Sequence, residues 1–160
     1  MPLHTSKRGL NMNDDINKPI KDFLYRIGSE VANEAKDKAP YRTGNLKRDI
    51  QVFTDNLDDL EVSIGNTKLA PYAIFVHTGT GLFGPKKKRI TPKNKKALKT
   101  PFGLKKSVAG MRADPYLESG ASAYLSSGGF NRAVDDMADD VGDQVFKDVE
   151  KALRDATVSN

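Results

Sequence analysis

The spacing of apolar residues predicts a long helix near each end of the chain. From Ile16 to Ala35, apolar residues recur at steps of three or four and form one stripe, as in an amphipathic helix. Gly28 lies inside this stripe and weakens the helix by about 1 kcal/mol relative to alanine, and Pro40 ends the helix. A second helix is predicted from about Phe130 to Ala156. Its apolar stripe consists of Phe130, Val134, Met137, Val141, Val145, Val149 and Leu153.

Alternation of apolar and polar residues predicts three strands between these helices. The first runs from Leu46 to Thr54, and the second from Leu60 to Ile64, where apolar side chains alternate with Glu61 and Ser63. The third, Tyr72–His77, is mostly apolar on both faces, which predicts a central strand that is covered on both sides. Because the connections are short and polar, the strands are expected to form an antiparallel sheet.

The order of these elements indicates an α+β fold. An antiparallel sheet packed with a long N-terminal and a long C-terminal helix would bury the apolar stripes, and a long basic loop or hairpin would protrude. The length of 160 residues suits one hydrophobic core. We expect a flexible arm at residues 1–12, a single domain at residues 13–156 and a short tail at residues 157–160.

The net charge of +5 is sorted into three blocks. Residues 1–83 contain 11 basic and 11 acidic side chains, residues 84–113 contain 11 basic and none acidic, and residues 114–160 contain 4 basic and 10 acidic. Sorting of this kind suggests partners of both signs, or copies of the chain that meet basic side to acidic side.

The basic block, residues 84–113, is named the basic excursion. Prolines and glycines interrupt any long regular element in it, although short extended pieces at Arg89–Thr91 and Ala97–Thr100 could pair as a protruding hairpin. Three interpretations of the basic excursion are open: a solvated loop, a segment that contacts nucleic-acid phosphates, or a segment that docks on an acidic surface. The candidate residues for contact with a subunit or DNA are Lys86, Lys87, Lys88, Arg89, Lys93, Lys95, Lys96, Lys99, Lys105 and Lys106.

The C-terminal helix carries a candidate complementary surface, named the acidic face. It consists of Asp135, Asp136, Asp139, Asp140 and Asp143. These residues lack the glycine and the closing glutamate of a calcium loop. A solvated surface, or a surface that meets a neighbour's basic excursion, is the better interpretation.

The residues predict no active site, no cofactor and no metal site. Cysteine is absent, which excludes disulfides and thiolate ligands. His4 and His77 stand far apart, and neither has an evident orienting partner and nucleophile. Thr78–Gly84 contains a Gly-x-Gly-x-x-Gly pattern, but proline and basic residues follow it instead of a helix. No apolar run approaches the roughly 20 residues of a membrane span, and the N-terminus does not resemble a secretory signal.

Four stretches together resemble one known family. Ala39–Leu46 resembles its "aP-x-x-TG-x-L" turn, Val62–Gly65 its next strand, Tyr72–Thr80 its "YA-x-x-v-E-x-GT" segment and Ala113–Leu117 its "a-r-P-F-l" segment. The family is that of the tail-completion, or neck, proteins of long-tailed bacteriophages, the HK97-gp10-like group. The resemblance extends over about residues 14–155.

Two positions depart from the family pattern. His77 stands where an acidic residue is usual, and Asp114 stands where arginine is common. The resemblance therefore does not predict a salt bridge by analogy at these positions, and an exchanged pair is the alternative.

The resemblance implies a structural virion protein that is not an enzyme. Such a protein would form a homo-oligomeric ring, expected to be a hexamer, at the head-proximal end of the tail and help to join tail to head. Its partners would be other neck and tail proteins, such as the tail terminator, tail tube and head-side connector, with nonspecific contact to DNA in the channel. It would reside in the virion, and in the host cytoplasm during assembly. The alternative is a small nonspecific DNA-binding protein that uses residues 84–113.

Overall fold

The computed structural model describes residues 12–41 and 44–158. The predicted arm at residues 1–12 therefore lies outside the described residues except for Met12, as do residues 159 and 160 of the predicted tail. The helices are α1 (Met12–Lys38), α2 (Asn45–Arg48), α3 (Ala73–Thr78), α4 (Tyr116–Ser126) and α5 (Gly129–Val158). The strands are β1 (Ile50–Phe53), β2 (Ser63–Asn66), β3 (Leu98–Thr100) and β4 (Gly103–Lys105), and 3-10 turns lie at Leu57–Asp59 and Gly81–Phe83.

Helix α1 lies at the centre of the fold. It packs against α4, α5 and the antiparallel hairpin of β1 and β2. Small side chains of α1 allow these elements to approach closely. Ala32 and Ala35 of α1 share one hydrophobic core with buried residues of α2, β1, α3, α4 and the connecting segments. The buried members of this core are Ala32, Ala35, Ala39, Leu46, Ile50, Ala70, Ala73 and Tyr116.

Two glycines permit the closest contacts of α1. A Cβ atom on Gly120 of α4 would lie 2.5 Å from the backbone nitrogen of Ala35, so the two helix backbones almost touch there. A Cβ atom on Gly28 would lie 2.8 Å from Val62 Cγ1 and 3.0 Å from Val52 Cγ1. The glycine that weakens α1 locally is therefore the residue that makes room for the β1–β2 hairpin.

The α+β fold class, the antiparallel pairing and the two long terminal helices are confirmed. Helix α5 packs on α1 and α4. The Phe23 and Phe130 ring centroids lie 6.4 Å apart, and Arg26 Nη1 is 2.5 Å from Asp136 Oδ2. Of the predicted stripe, Val134, Met137, Val141 and Val145 are half-buried, Phe130 and Val149 are exposed, and the Leu153 side chain lies outside the described part.

The prediction of a central strand at Tyr72–His77 is wrong, because Ala73–Thr78 forms the short helix α3. The backbone nitrogens of Phe75 and Val76 donate to Tyr72 O at 2.9 and 3.1 Å. Only one side of α3 faces the core: Ala73 is 8% exposed, whereas Ile74 and Phe75 are 58% and 55% exposed. A short apolar run fits both a strand and a helix, and here contact along one side decided the outcome.

The other two predicted strands are shorter than expected. The Leu46 end of the first is helix α2, and the strand starts only at Ile50. In the second, Leu60 adopts a left-handed backbone with φ of 58° and is exposed, so regular pairing begins at Ser63.

Candidate assembly surface

Glycines allow the two ends of the basic excursion to approach each other closely. Gly81 and Gly110 have φ of 64° and 99°, and a Cβ atom on Gly110 would lie 2.1 Å from Thr80 O. This close approach lets Thr80 N donate to Met111 O at 2.8 Å and Leu82 N donate to Ala109 O at 2.7 Å. The Gly-x-Gly-x-x-Gly pattern thus forms the base of the excursion, and it contains a 3-10 turn at Gly81–Phe83.

Beyond this base, the excursion continues as a pair of extended segments with a short hairpin. Ile90 and Val108 exchange backbone hydrogen bonds of 2.9 and 3.0 Å, and β3 pairs antiparallel with β4. The two extended pieces predicted at Arg89–Thr91 and Ala97–Thr100 therefore pair with later residues rather than with each other. At the hairpin turn, Phe102 is 89% exposed.

Every candidate cation of the basic excursion is exposed. Within the described residues, the ion pairs of 4.0 Å or less involve none of these cations. Arg112, at the end of the excursion, lies over the Phe83 ring at 5.4 Å from its centroid. The excursion thus presents a concentrated positive charge that nearby carboxylates do not neutralise.

The structure brings the acidic face together on α5. All five of its aspartates are exposed. Asp135, Asp139 and Asp143 follow each other at four-residue steps and so lie on one side of the helix. Asp136 differs from them, because its carboxylate already pairs with Arg26 of α1 at 2.5 Å.

Phe146 of α5, which is not among the predicted site residues, lies one helical turn beyond the acidic face. This side chain is 71% exposed. It stands three residues after Asp143 and four before Glu150, so all three share one side of the helix. Its position outside the apolar stripe was the signal available in the sequence.

A groove of about 850 Å³, also absent from the predictions, lies between α3 and the start of the basic excursion. Ile74, Phe75, Ile90 and the glycines at the base of the excursion contribute apolar lining. The basic lining comes from Lys86, Lys88, Arg89 and Lys93. A buried strand at Tyr72–His77 would hide Ile74 and Phe75, so the sequence pattern predicts no groove there.

His77 connects α3 to α4. Its Nε2 atom lies 2.9 Å from Glu118 Oε1, and its ring meets the Tyr116 ring edge-on with centroids 5.5 Å apart. The pKa of Glu118 lies below its usual value, first because its own backbone N–H donates to the carboxylate and then because of His77. The histidine thus pairs with an acidic residue from α4, whereas Asp114 N donates to Val76 O through the backbone.

Among the described residues, no group of three or more His, Asp or Glu side chains is arranged to hold a metal ion. None of the helices in the described ranges combines the length and apolar character that a membrane span requires.

The stretches that carry the family resemblance meet in the hydrophobic core. Leu46, Ala73 and Tyr116 are buried in it, and Ile64 and Leu117 pack against it. Residues 42 and 43 of the first stretch lie outside the described residues. The shared pattern therefore specifies how the domain packs, and the surface charges lie elsewhere.

Fold and surface together define a small α+β protein with two exposed regions of opposite charge. The sequence model of the HK97-gp10-like family, described as "Bacteriophage HK97-gp10, putative tail-component", matches residues 10–79. This match confirms the resemblance over those residues, which make up a little under half of the chain. Ala113–Leu117 lies beyond the matched residues. No curated protein and no solved structure is significantly similar to the chain.

Proposed function

We propose that this chain is a bacteriophage tail component, namely a tail-completion, or neck, protein that forms a ring of identical copies at the head-proximal end of the tail. The ring, expected to be a hexamer, would help to join tail to head. It would contact the tail terminator, the tail tube and the head-side connector, after assembly in the host cytoplasm. The protein would act as a structural part without catalysing a reaction.

One observation carries this proposal: two exposed surfaces of opposite charge lie on different elements of the same chain. All candidate cations of the basic excursion are exposed, and the acidic face lies on α5. Identical chains that join through two different surfaces associate head to tail, and such contacts close into a ring when the rotation between copies permits.

Charge reversal in the phage tests the role in joining tail to head. In phage that carries Lys86→Glu, Lys87→Glu, Lys88→Glu and Arg89→Glu, we expect heads and tails that fail to join in electron micrographs. As a matched control, charge reversal at Lys18 and Lys68, which are exposed outside the excursion, should leave joining intact. Normal virions from the excursion variant, or purified wild-type virions that lack the chain, would contradict the proposal.

Nonspecific DNA binding through the basic excursion is the alternative function. It is favoured by the eleven basic side chains of residues 84–113, which no acidic residue of that segment offsets. Such binding would weaken steeply with salt, because each cation that neutralises a phosphate releases condensed counterions. A fluorescence titration tests this with a variant that carries Lys86→Ala, Lys87→Ala, Lys88→Ala and Arg89→Ala. The plot of the logarithm of the binding constant against the logarithm of the salt concentration should become shallower, by about 0.9 in slope for every phosphate that is no longer neutralised. No binding at low salt would exclude this alternative.

A further inference from the structure

The side of α5 around Phe146 and the groove beside α3 have matching properties. Phe146 is a large apolar side chain, 71% exposed. With Asp139, Asp143 and Glu150, at spacings of seven, three and four residues from it, it shares one side of the helix. A phenylalanine surrounded by carboxylates fits a partner site that has an apolar centre and a basic rim.

The groove between α3 and the basic excursion offers this combination. Ile74 and Phe75 line it and are each more than half exposed, although they belong to the helix that also packs on the core. Lys86, Lys88, Arg89 and Lys93 also line it. Its volume of about 850 Å³ is within the range of about 300–1,000 Å³ typical of sites that bury a compact group.

We propose that Phe146 of one copy inserts into the groove between α3 and the basic excursion of the next copy. The apolar ring would lie against Ile74 and Phe75, and the carboxylates that flank it would face the cations of the groove. Aromatic residues are enriched among the side chains that dominate binding energy at interfaces, where the surrounding contacts exclude water. The occupant of the groove is therefore a second copy of this chain.

This contact is heterologous, because the two surfaces come from different elements. Each copy keeps a free Phe146 at one end and a free groove at the other, so association continues until the ring closes. The inference rests on the proposed function, because it names the surfaces through which the ring would form. It also gives the acidic face of α5 a defined position against the neighbouring subunit.

Mixing two variants that each lack one surface tests the contact. Phe146→Asp removes the inserted side chain, and Ile74→Asp with Phe75→Asp removes the apolar lining. All three positions are more than half exposed, so the fold should tolerate these changes. In analytical ultracentrifugation, the wild-type chain should form oligomers, each variant alone should be monomeric, and an equal mixture should form dimers. Phe146→Ala should weaken self-association about 10- to 100-fold, or about 1.4–2.8 kcal/mol.

The matched control is Leu125→Asp on α4, which changes an apolar side chain of similar exposure, 60%, and should leave oligomers intact. A second test exchanges charges: Asp143→Lys should weaken association, and Lys88→Asp in the same chain should restore part of it. A monomeric wild-type chain, variants that still assemble alone, or a mixture that stays monomeric would overturn the contact.

Failure of this contact and failure of the proposed function give different results. If the variants still assemble and the chain is present in virions, the ring survives and the Phe146 contact is wrong. If the chain is absent from virions, the neck role is wrong, whatever the ultracentrifuge shows.

Discussion

Tyr116 joins three parts of the fold through its ring and its hydroxyl group. The side chain is 1% exposed, and its hydroxyl donates a hydrogen bond to Asn66 Oδ1. Asn66 Nδ2 in turn donates to Leu46 O at 3.0 Å. Burial, followed by the charges of Asp49 and Asp114, raises the pKa of Tyr116 to about 12. The neutral hydroxyl is therefore part of the folded core.

We expect ionisation of Tyr116 to destabilise the folded protein in alkali. Its pKa is about 12 in the fold and 10.0 in the reference state, so its contribution to stability is complete below pH 10 and is lost as the pH rises through 12. At about 1.4 kcal/mol per pKa unit, the loss reaches about 3 kcal/mol. Denaturant titrations of the wild-type chain and of Tyr116→Phe between these pH values measure this loss of unfolding free energy.

Tyr116→Phe is also the control, because all other titrating groups are common to both chains. At neutral pH it should cost about 1–3 kcal/mol, since Asn66 Oδ1 loses its donor. An equal decline of stability with alkali in both chains would contradict the role of Tyr116.

Asp49 organises the turn that precedes α3. Its carboxylate is 4% exposed and accepts hydrogen bonds from Thr67 N at 2.9 Å, from Ala70 N at 3.1 Å and from the Thr67 hydroxyl. These bonds hold residues 67–70 against the end of α2, so that α3 begins with Ala73 in the core. A single polar residue thus contributes to the placement of the exposed Ile74 and Phe75.

At the scale of elements, the crossing of α1 and α4 depends on the absence of a side chain. Gly120 meets Ala35 backbone to backbone, and Ala32 and Ala35 are also buried. Because packed interiors leave little free space, a single added methyl group must displace one of the two helices. Small residues therefore determine how close these helices lie.

Gly120→Ala should destabilise the chain by about 1–3 kcal/mol through overpacking, despite the better helix propensity of alanine. Gly142→Ala is the matched control: Gly142 lies in α5, and a Cβ atom there would have no neighbour within 4 Å. It should stabilise the chain by about 0.5–1 kcal/mol. Thermal or denaturant unfolding compares the two, and equal effects would contradict the packing explanation.

The basic excursion depends on the close approach at its base. Gly110→Ala would place Cβ 2.1 Å from Thr80 O. We therefore expect faster hydrogen exchange at the amides of Thr80 and Leu82, whereas the Ala39 amide, bonded to Ala35 O in the core, should change little.

Gly103→Ala is the control for this experiment. Gly103 also has a positive φ, 98°, but a Cβ atom there would meet nothing within 4 Å. The substitution should affect the hairpin turn and leave exchange at Thr80 and Leu82 unchanged. If both variants loosened the base alike, backbone strain and not the steric contact would be the cause.

At the scale of the whole molecule, positive and negative charges are separated along the chain. The basic excursion has 11 positive charges, and residues 114–160 have a net charge of −6. Within the described residues, the cations of the excursion form no ion pair, and Asp136 is the acidic-face residue that pairs, with Arg26. Most of this complementary charge is thus available to other molecules.

Self-association should therefore weaken as salt is added. Raising ionic strength from about 0.1 M to 1 M shortens the screening length from about 10 Å to about 3 Å. Light scattering should then show smaller oligomers in high salt, while circular dichroism should show an unchanged fold. Association that grows stronger with salt would indicate apolar contacts as the main attraction instead.

The order of apolar residues along the chain was enough to determine the long helices and the α+β class. An apolar stripe that continues over several turns indicates a helix. The charge blocks are visible in the order of residues alone. The family pattern was also recognisable, because residues such as Leu46 and Ala73 are constrained by the core that they form.

Tertiary contacts alone determined the conformation of Tyr72–Val76 and the shape of the groove beside it. Local preference in so short an apolar segment is nearly balanced between helix and strand, so packing of one side of the segment into the hydrophobic core decided the outcome. The close crossing at Gly120, the network of Asp49 and the base of the excursion likewise join residues far apart in sequence. Their distances depend on the packing of the whole chain, and residue order does not encode them locally.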